Sequence, residues 1–143
     1  MERYKFLEHT ADIKVQAFGK TLEESFENSA FALKECIAEK IDIKPKKGRI
    51  ISVDGKDLSD LLYSFLEEFL FLLDAEDFML SNIEDLEVAG DEKTGFSLSA
   101  KINGDKASNY KFSNSVKAIT FNEMKINEDK KAKNWTIQFV LDV

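Results

Sequence analysis

Apolar and polar residues alternate first near the start of the chain. Residues 3–8 are strand-like, with Tyr4 and Phe6 on one side, and residues 11–18 form a clearer strand. A period of two puts Ile13, Val15 and Ala17 on one face and Asp12, Lys14, Gln16 and Phe18 on the other. The spacing then changes to three and four. Leu22, Phe26, Ala30, Leu33 and Ile37 make the apolar stripe of a helix that runs to Lys40, with Pro45 blocking any continuation. Thr21-Leu22-Glu23-Glu24 reads as its capping box, Thr21 accepting from an orphan N–H and Glu24 reaching back to the cap backbone.

Residues 49–53 predict a short strand ended by the turn signal Asp54-Gly55. A second helix follows, capped by Asp57 or Ser59, with Leu58, Leu61, Leu62, Phe65, Phe69, Leu72 and Leu73 as its stripe. Leu66, Leu70 and Phe71 widen that stripe, which fits deep burial between elements or, alternatively, an exposed patch for a partner. After Asp77 the pattern returns to strands: Leu86 and Val88, the turn-rich residues 90–95, and the alternating Phe96, Leu98, Ala100 and Ile102 predict a hairpin. Asn103-Gly104-Asp105 is a further turn signal. Residues 116–121 are strand-like, Met124 and Ile126 extend the pattern, and residues 135–143 close the chain as a strand.

Runs of strands segregated from two helices define the α+β class, with two helices packed on one face of a mainly antiparallel β-sheet. The 143 residues fit a single compact domain with no repeat or linker. A hydrophobic content of 43% and 12 phenylalanines argue for a packed core and against disorder.

Charge narrows the functional classes. A net charge of −7 disfavours strong direct binding to nucleic acid, which rests on clustered Lys and Arg. The basic runs at residues 44–49 and at Lys130, Lys131 and Lys133 lack interleaved aromatics and read as solvated loops. Cys36 is the single cysteine, so neither an internal disulfide nor a CxxC site is expected; it flanks the first helix's stripe as a small, partly buried hydrophobe. No signal-peptide pattern is seen, and the most apolar run, residues 61–73, is interrupted by Glu67 and Glu68 and falls short of the about 20 residues that span a bilayer. A soluble, cytoplasmic protein without membrane contact is expected.

The chemistry concentrates at residues 6–12, Phe-Leu-Glu-His-Thr-Ala-Asp, which hold the only histidine, His9, beside Glu8 and Asp12. In the last strand Trp135, Ile137, Phe139 and Leu141 share one face, so Thr136, Gln138, Val140 and Asp142 share the other. Asp12 begins its strand and Asp142 nearly ends another. Antiparallel neighbours would therefore bring them to a cross-strand pair with Cβ atoms about 5 Å apart, whereas parallel neighbours would hold them about 20 Å apart. Two close carboxylates repel and need a cation or a shared proton. A hard divalent cation, Ca²⁺, Mg²⁺ or Mn²⁺, is the simpler candidate, with the α-carboxylate of Val143 as an additional donor. One histidine and one cysteine make a closed zinc site implausible. The alternative reading is a turn cap at Asp12 and a solvated acid at Asp142. His9 reads as a hydrogen-bonded structural imidazole that supports the turn behind Asp12.

The run Phe6 to Asp12, followed by Gly19, Thr21-Leu22-Glu23-Glu24 and Phe26, resembles the opening of the archease family. The resemblance extends through the Leu-rich second helix and Val116-Lys117-Ala118-Ile119-Thr120-Phe121 to Val140-Leu141-Asp142-Val143. It covers nearly the whole chain, so residues 1–143 are expected to form one archease-like domain. It implies an accessory protein, not itself an enzyme, of the tRNA-splicing RNA ligase that joins a 2′,3′-cyclic-phosphate or 3′-phosphate end to a 5′-hydroxyl. The implied role is to promote the metal-dependent guanylylation of the ligase and its multiple turnover. The family's metal-binding acids map onto Asp12 and Asp142. One departure stands out: where the family usually has histidine after the Lys-Ala-x-Thr-aromatic pattern, this chain has Asn122 and Glu123. Either supplies an oxygen donor without imidazole basicity. Lys117 reads as a phosphate-positioning or acid-neutralising group, or equally as a solvent-facing strand lysine. Two other classes stay open: a stand-alone metal-dependent hydrolase using the same acids, and a metal-independent binding module or chaperone.

Overall fold

A computed structural model describes residues 2–7 and 12–143. The element order is β1 (Tyr4–Leu7), β2 (Asp12–Gly19), α1 (Leu22–Ala38), β3 (Lys47–Gly55), α2 (Leu58–Glu76), β4 (Phe78–Asp91), β5 (Gly95–Lys106), β6 (Ala118–Asp129) and β7 (Asn134–Asp142). A short 3-10 turn, Ala107–Asn109, follows β5. The α+β class and the antiparallel pairing are as expected, but the strands divide between two sheets, ordered β1-β2-β7-β6 and β3-β5-β4. The division follows from the connections. β3 finds its partner in the long β4–β5 hairpin, while β6 and β7 return to the N-terminal hairpin. Each helix touches strands of both sheets: α1 packs on β1, β2, β7 and β4, and α2 on β3, β4, β5 and β6. One core results, in which Val15, Phe26, Phe65, Ile102 and Phe139 are fully buried.

Helix α1 is started by Thr21, whose Oγ1 accepts from the Glu24 N–H at 3.0 Å, while the Glu24 carboxylate accepts from the Lys20 N–H at 2.9 Å. Helix α2 is capped by Asp57, which accepts from the Asp60 N–H at 2.8 Å, and Ser59 lies within its first turn. The widened apolar sector of α2 resolves residue by residue. Leu66 is buried, Leu70 is half-buried and Phe71 is 54% exposed.

β4 begins at Phe78, directly after Asp77, where the pattern returns to strands, and carries register shifts between Leu80 and Asn82 and between Glu84 and Glu87 that obscure its period. Two local expectations differ from the structure. The basic run at residues 44–49 is loop only in part, because Lys47–Gly55 is the edge strand β3. Asn103-Gly104-Asp105 lies inside β5 and is no turn. A Cβ at Gly104 would stand 2.0 Å from the Met79 carbonyl oxygen, so the glycine permits close strand approach. Asp105 is buried and accepts from the Tyr110 hydroxyl at 2.8 Å, which explains an acid there without a turn.

Candidate functional site

β2 and β7 are antiparallel neighbours, and their register sets Asp12 directly opposite Asp142. The face opposite the core carries Asp12, Lys14, Gln16 and Phe18 on β2, with Asp142, Val140, Gln138 and Thr136 as their partners on β7. Asp142 lies on a central strand, with Asp12 to one side and Ala118 of β6 to the other. Its backbone is held from the β6 side, since the Lys117 N–H donates to the Asp142 carbonyl at 2.7 Å. The Asp142 side chain is exposed and Asp12 is partly exposed.

A polar network continues along this face. Gln16 Nε2 donates to Gln138 Oε1 at 3.1 Å, and Gln138 Nε2 donates to the Glu123 carbonyl at 2.9 Å. Glu123 sits where β6 departs from regular pairing between Thr120 and Lys125, with φ 56° in the left-handed region. That irregularity turns its carboxylate back across the sheet, where it takes the Lys14 ammonium at 2.9 Å. The Asn122 N–H donates to Thr120 Oγ1 at 3.2 Å within the same irregular stretch.

The expected site residues therefore separate into groups. Asp12 and Asp142 come together at one end of the four-stranded sheet, where Lys117 contributes its backbone N–H to the Asp142 carbonyl, while Val143 is half-buried and packs against the core. Glu123 pairs with Lys14, whose strand position is two residues from Asp12, and Asn122 is exposed in the irregular part of β6. Glu8 and His9 lie outside the described residues. Lys14 and Gln138 were legible as polar-face residues, but the connection from Gln16 through Gln138 to Glu123 requires the bend in β6. Cys36 on α1 lies near Tyr4, whose strand partner is Ala17, five residues along β2 from Asp12. Burial, reinforced by Glu35, pushes its thiol up to about 12, which suits a packed hydrophobe and not a nucleophile.

Asp12 and Asp142 provide hard carboxylate oxygens on one face, and the exposure of Asp142 leaves access for water. That donor chemistry fits Ca²⁺, Mg²⁺ or Mn²⁺. Among the described residues no group of three or more His, Cys, Asp or Glu gathers as a metal cluster. Among the described residues, Asp12 and Asp142 form a two-carboxylate set that would need further donors to complete a cation's shell.

Fold and site together define a small α+β domain with an acidic, solvent-facing sheet end. Residues 4–143 match the model of the archease protein family (MTH1598/TM1083). The archease of Pyrococcus abyssi is 39% identical over 145 residues, covering both chains in full. That of Pyrobaculum neutrophilum is 38% identical over 143 residues, covering 98% of this chain and 95% of the relative. The solution structure of Methanobacterium thermoautotrophicum protein 1598 matches with a TM-score of 0.79 at 29% identity, over 100% of both chains. The chain belongs to the archease family. At the level of the family, membership supports an accessory role in RNA ligation and tRNA splicing, in keeping with a non-enzymatic protein. Among the described residues no helix is long and apolar enough to cross a membrane.

Proposed function

We propose that this chain is a cytoplasmic activator of the tRNA-splicing RNA ligase, promoting the ligase's metal-dependent guanylylation and hence its repeated turnover. The observation that carries this reading is the register pairing of Asp12 with Asp142. Two carboxylates set opposite one another on a solvent-facing sheet end offer hard oxygen donors that a divalent cation would bridge. Asp12 and Asp142 would hold Ca²⁺, Mg²⁺ or Mn²⁺, which when bound would neutralise and orient phosphate charge. The chain's own contribution is placement. The Lys117 N–H fixes the backbone of Asp142 from one side, and Asp12 faces it from the other. Lys14 draws Glu123 towards itself along the same face. The net charge of −7 suits docking to a basic, RNA-binding groove, with association that weakens as salt rises.

The test is ligase guanylylation by GTP under multiple-turnover conditions, with this protein as wild type, Asp12→Ala or Asp142→Ala. Wild type is expected to stimulate and both variants to lose most of the effect. No stimulation by folded wild type overturns the accessory role. Equal stimulation by all three keeps the partner and overturns the cation site.

A further inference from the structure

Helix α2 contains no lysine or arginine from Leu58 to Glu76. Its core stripe leaves an outer face that is aromatic as well as acidic. Phe71 lies about 120° around the helix from the buried Phe65 and is 54% exposed. Phe121, at the bend of β6, is 53% exposed and stacks flat on Tyr63, with ring centroids 4.3 Å apart and planes 9° from parallel. Glu67 stands one helical turn from both Tyr63 and Phe71, and its carboxylate beside the Tyr63 hydroxyl holds that phenol above its ordinary value. The result is an aromatic outer face in two parts, the Tyr63–Phe121 stack and Phe71 about 12 Å along the helix, with the Glu67 carboxylate between them. Core packing does not require Phe71 or Phe121, since Leu61, Leu62, Phe65, Leu66, Phe69 and Leu72 already bury the other side of the helix and, of the three rings, only Tyr63 packs partly against the core.

Charge selects the occupant. A second copy would bring −7 against −7, and a phosphate backbone would be repelled. An arginine meets both features at once, because its planar guanidinium stacks on aromatic faces and pairs with carboxylates. We propose that the outer face of α2, with Phe121, is a docking surface for a basic, arginine-bearing segment of a partner protein. This rests on the accessory reading and takes the ligase as that partner. Position supports the link. Phe121 lies three residues beyond Ala118, the β6 partner of Asp142, so about 10 Å of an edge strand separates them, with Phe121 against α2 and the acids on the opposite face. A partner that closes over the β6 edge would meet both.

The experiment measures the affinity of purified ligase for the full chain as wild type, as Phe71→Ser with Phe121→Ser, and as Glu67→Lys. Circular dichroism and thermal melting verify the fold. Both variants are expected to bind about 10-fold or more weakly, as loss of interface anchors does. Their guanylylation defect should be recovered by raising the protein concentration, a recovery that Asp142→Ala should not show. Should the aromatic variant fail to fold, the exposed Glu67→Lys change carries the test alone. Binding within twofold of wild type, while wild type binds and stimulates, overturns this proposal and leaves the accessory role standing. Wild type that neither binds nor stimulates overturns both. A wild-type dimer dissociated by Phe71→Ser also overturns the proposal, since a second copy would then be the occupant.

Discussion

Lys14 holds Glu123 at 2.9 Å across the intervening strand β7, and its side chain is only 18% exposed. Val140, directly opposite Lys14, is buried to 1% although it lies outside the core cluster. The long lysine stem and the bend of β6 offer it cover on the face away from the helices. Replacing Lys14 with Met keeps most of that cover and removes the charge. The expected loss of stability is about 1 kcal/mol or less, as for a partly exposed ion pair. Amide exchange should accelerate selectively at residues 121–124. Unchanged exchange there would mean that Gln138 alone fixes the bend.

The acids at the sheet end predict a stability response to cations. Without a cation, Asp142→Asn changes an exposed acid and should leave the melting temperature close to that of wild type. With Ca²⁺, Mg²⁺ or Mn²⁺ at 100 times its Kd, wild type should gain about 2.7 kcal/mol and the variant little or nothing. A thermal scan of both proteins across the three ions measures this. A wild type insensitive to all three ions, up to millimolar concentration, would remove the cation from the mechanism.

The facing of Asp12 and Asp142 was legible because parity along a strand is set by backbone geometry alone, and the register between these strands runs unbroken from Asp12 to Gly19. Their opposition required one further fact, that β2 and β7 are antiparallel neighbours, which depends on tertiary pairing. Where parity breaks, legibility ends. Glu123 reaches Lys14 only because β6 is irregular between Thr120 and Lys125, and no alternation pattern reveals a bend of that kind. The turn signal at Asn103-Gly104-Asp105 failed for a related reason. Glycine and aspartate favour turns in isolation, but here one relieves a close strand contact and the other is a buried acceptor. The division into two sheets was likewise set by long-range pairing of β3 with β5 and of β2 with β7.

Asp105 predicts an acid-sensitive clamp. The Tyr110 hydroxyl donates to it at 2.8 Å and accepts from the Lys44 N–H at 3.0 Å, joining the end of β5 to the loop before β3. That hydrogen bond, ahead of those from the Lys106 N–H and Asn109, holds the Asp105 carboxyl below its ordinary value against the opposing effect of burial. A carboxyl depressed in the folded state stabilises fully above its unfolded value of about 3.9, and the contribution is lost as pH falls through the folded value. Tyr110→Phe removes the principal cause. The variant should therefore melt lower than wild type at pH 7 and lose less additional stability between pH 4 and pH 2. Parallel melting-temperature curves for the two proteins across that range would overturn the assignment.

Gly104 gives the sharpest steric prediction. A Cβ there would meet the Met79 carbonyl oxygen at 2.0 Å and Phe78 Cζ at 2.7 Å. The ring end has some freedom to shift, but the carbonyl belongs to β4, which pairs with β5 along most of its length. Relief of the clash requires the two strands to separate, at a cost of about 3 kcal/mol or more for Gly104→Ala. Gly48 provides the matched control. It lies in the same sheet beside Lys47, the β3 partner of Gly104, yet a Cβ there meets nothing nearer than the Asn103 side-chain oxygen at 3.6 Å. Gly48→Ala should be neutral or stabilising by about 0.4–1 kcal/mol, because it restricts the unfolded chain without a clash. Urea titration of the two variants gives the comparison directly. Equal midpoints would show that the β4–β5 approach relaxes freely and that the glycine answers no steric demand.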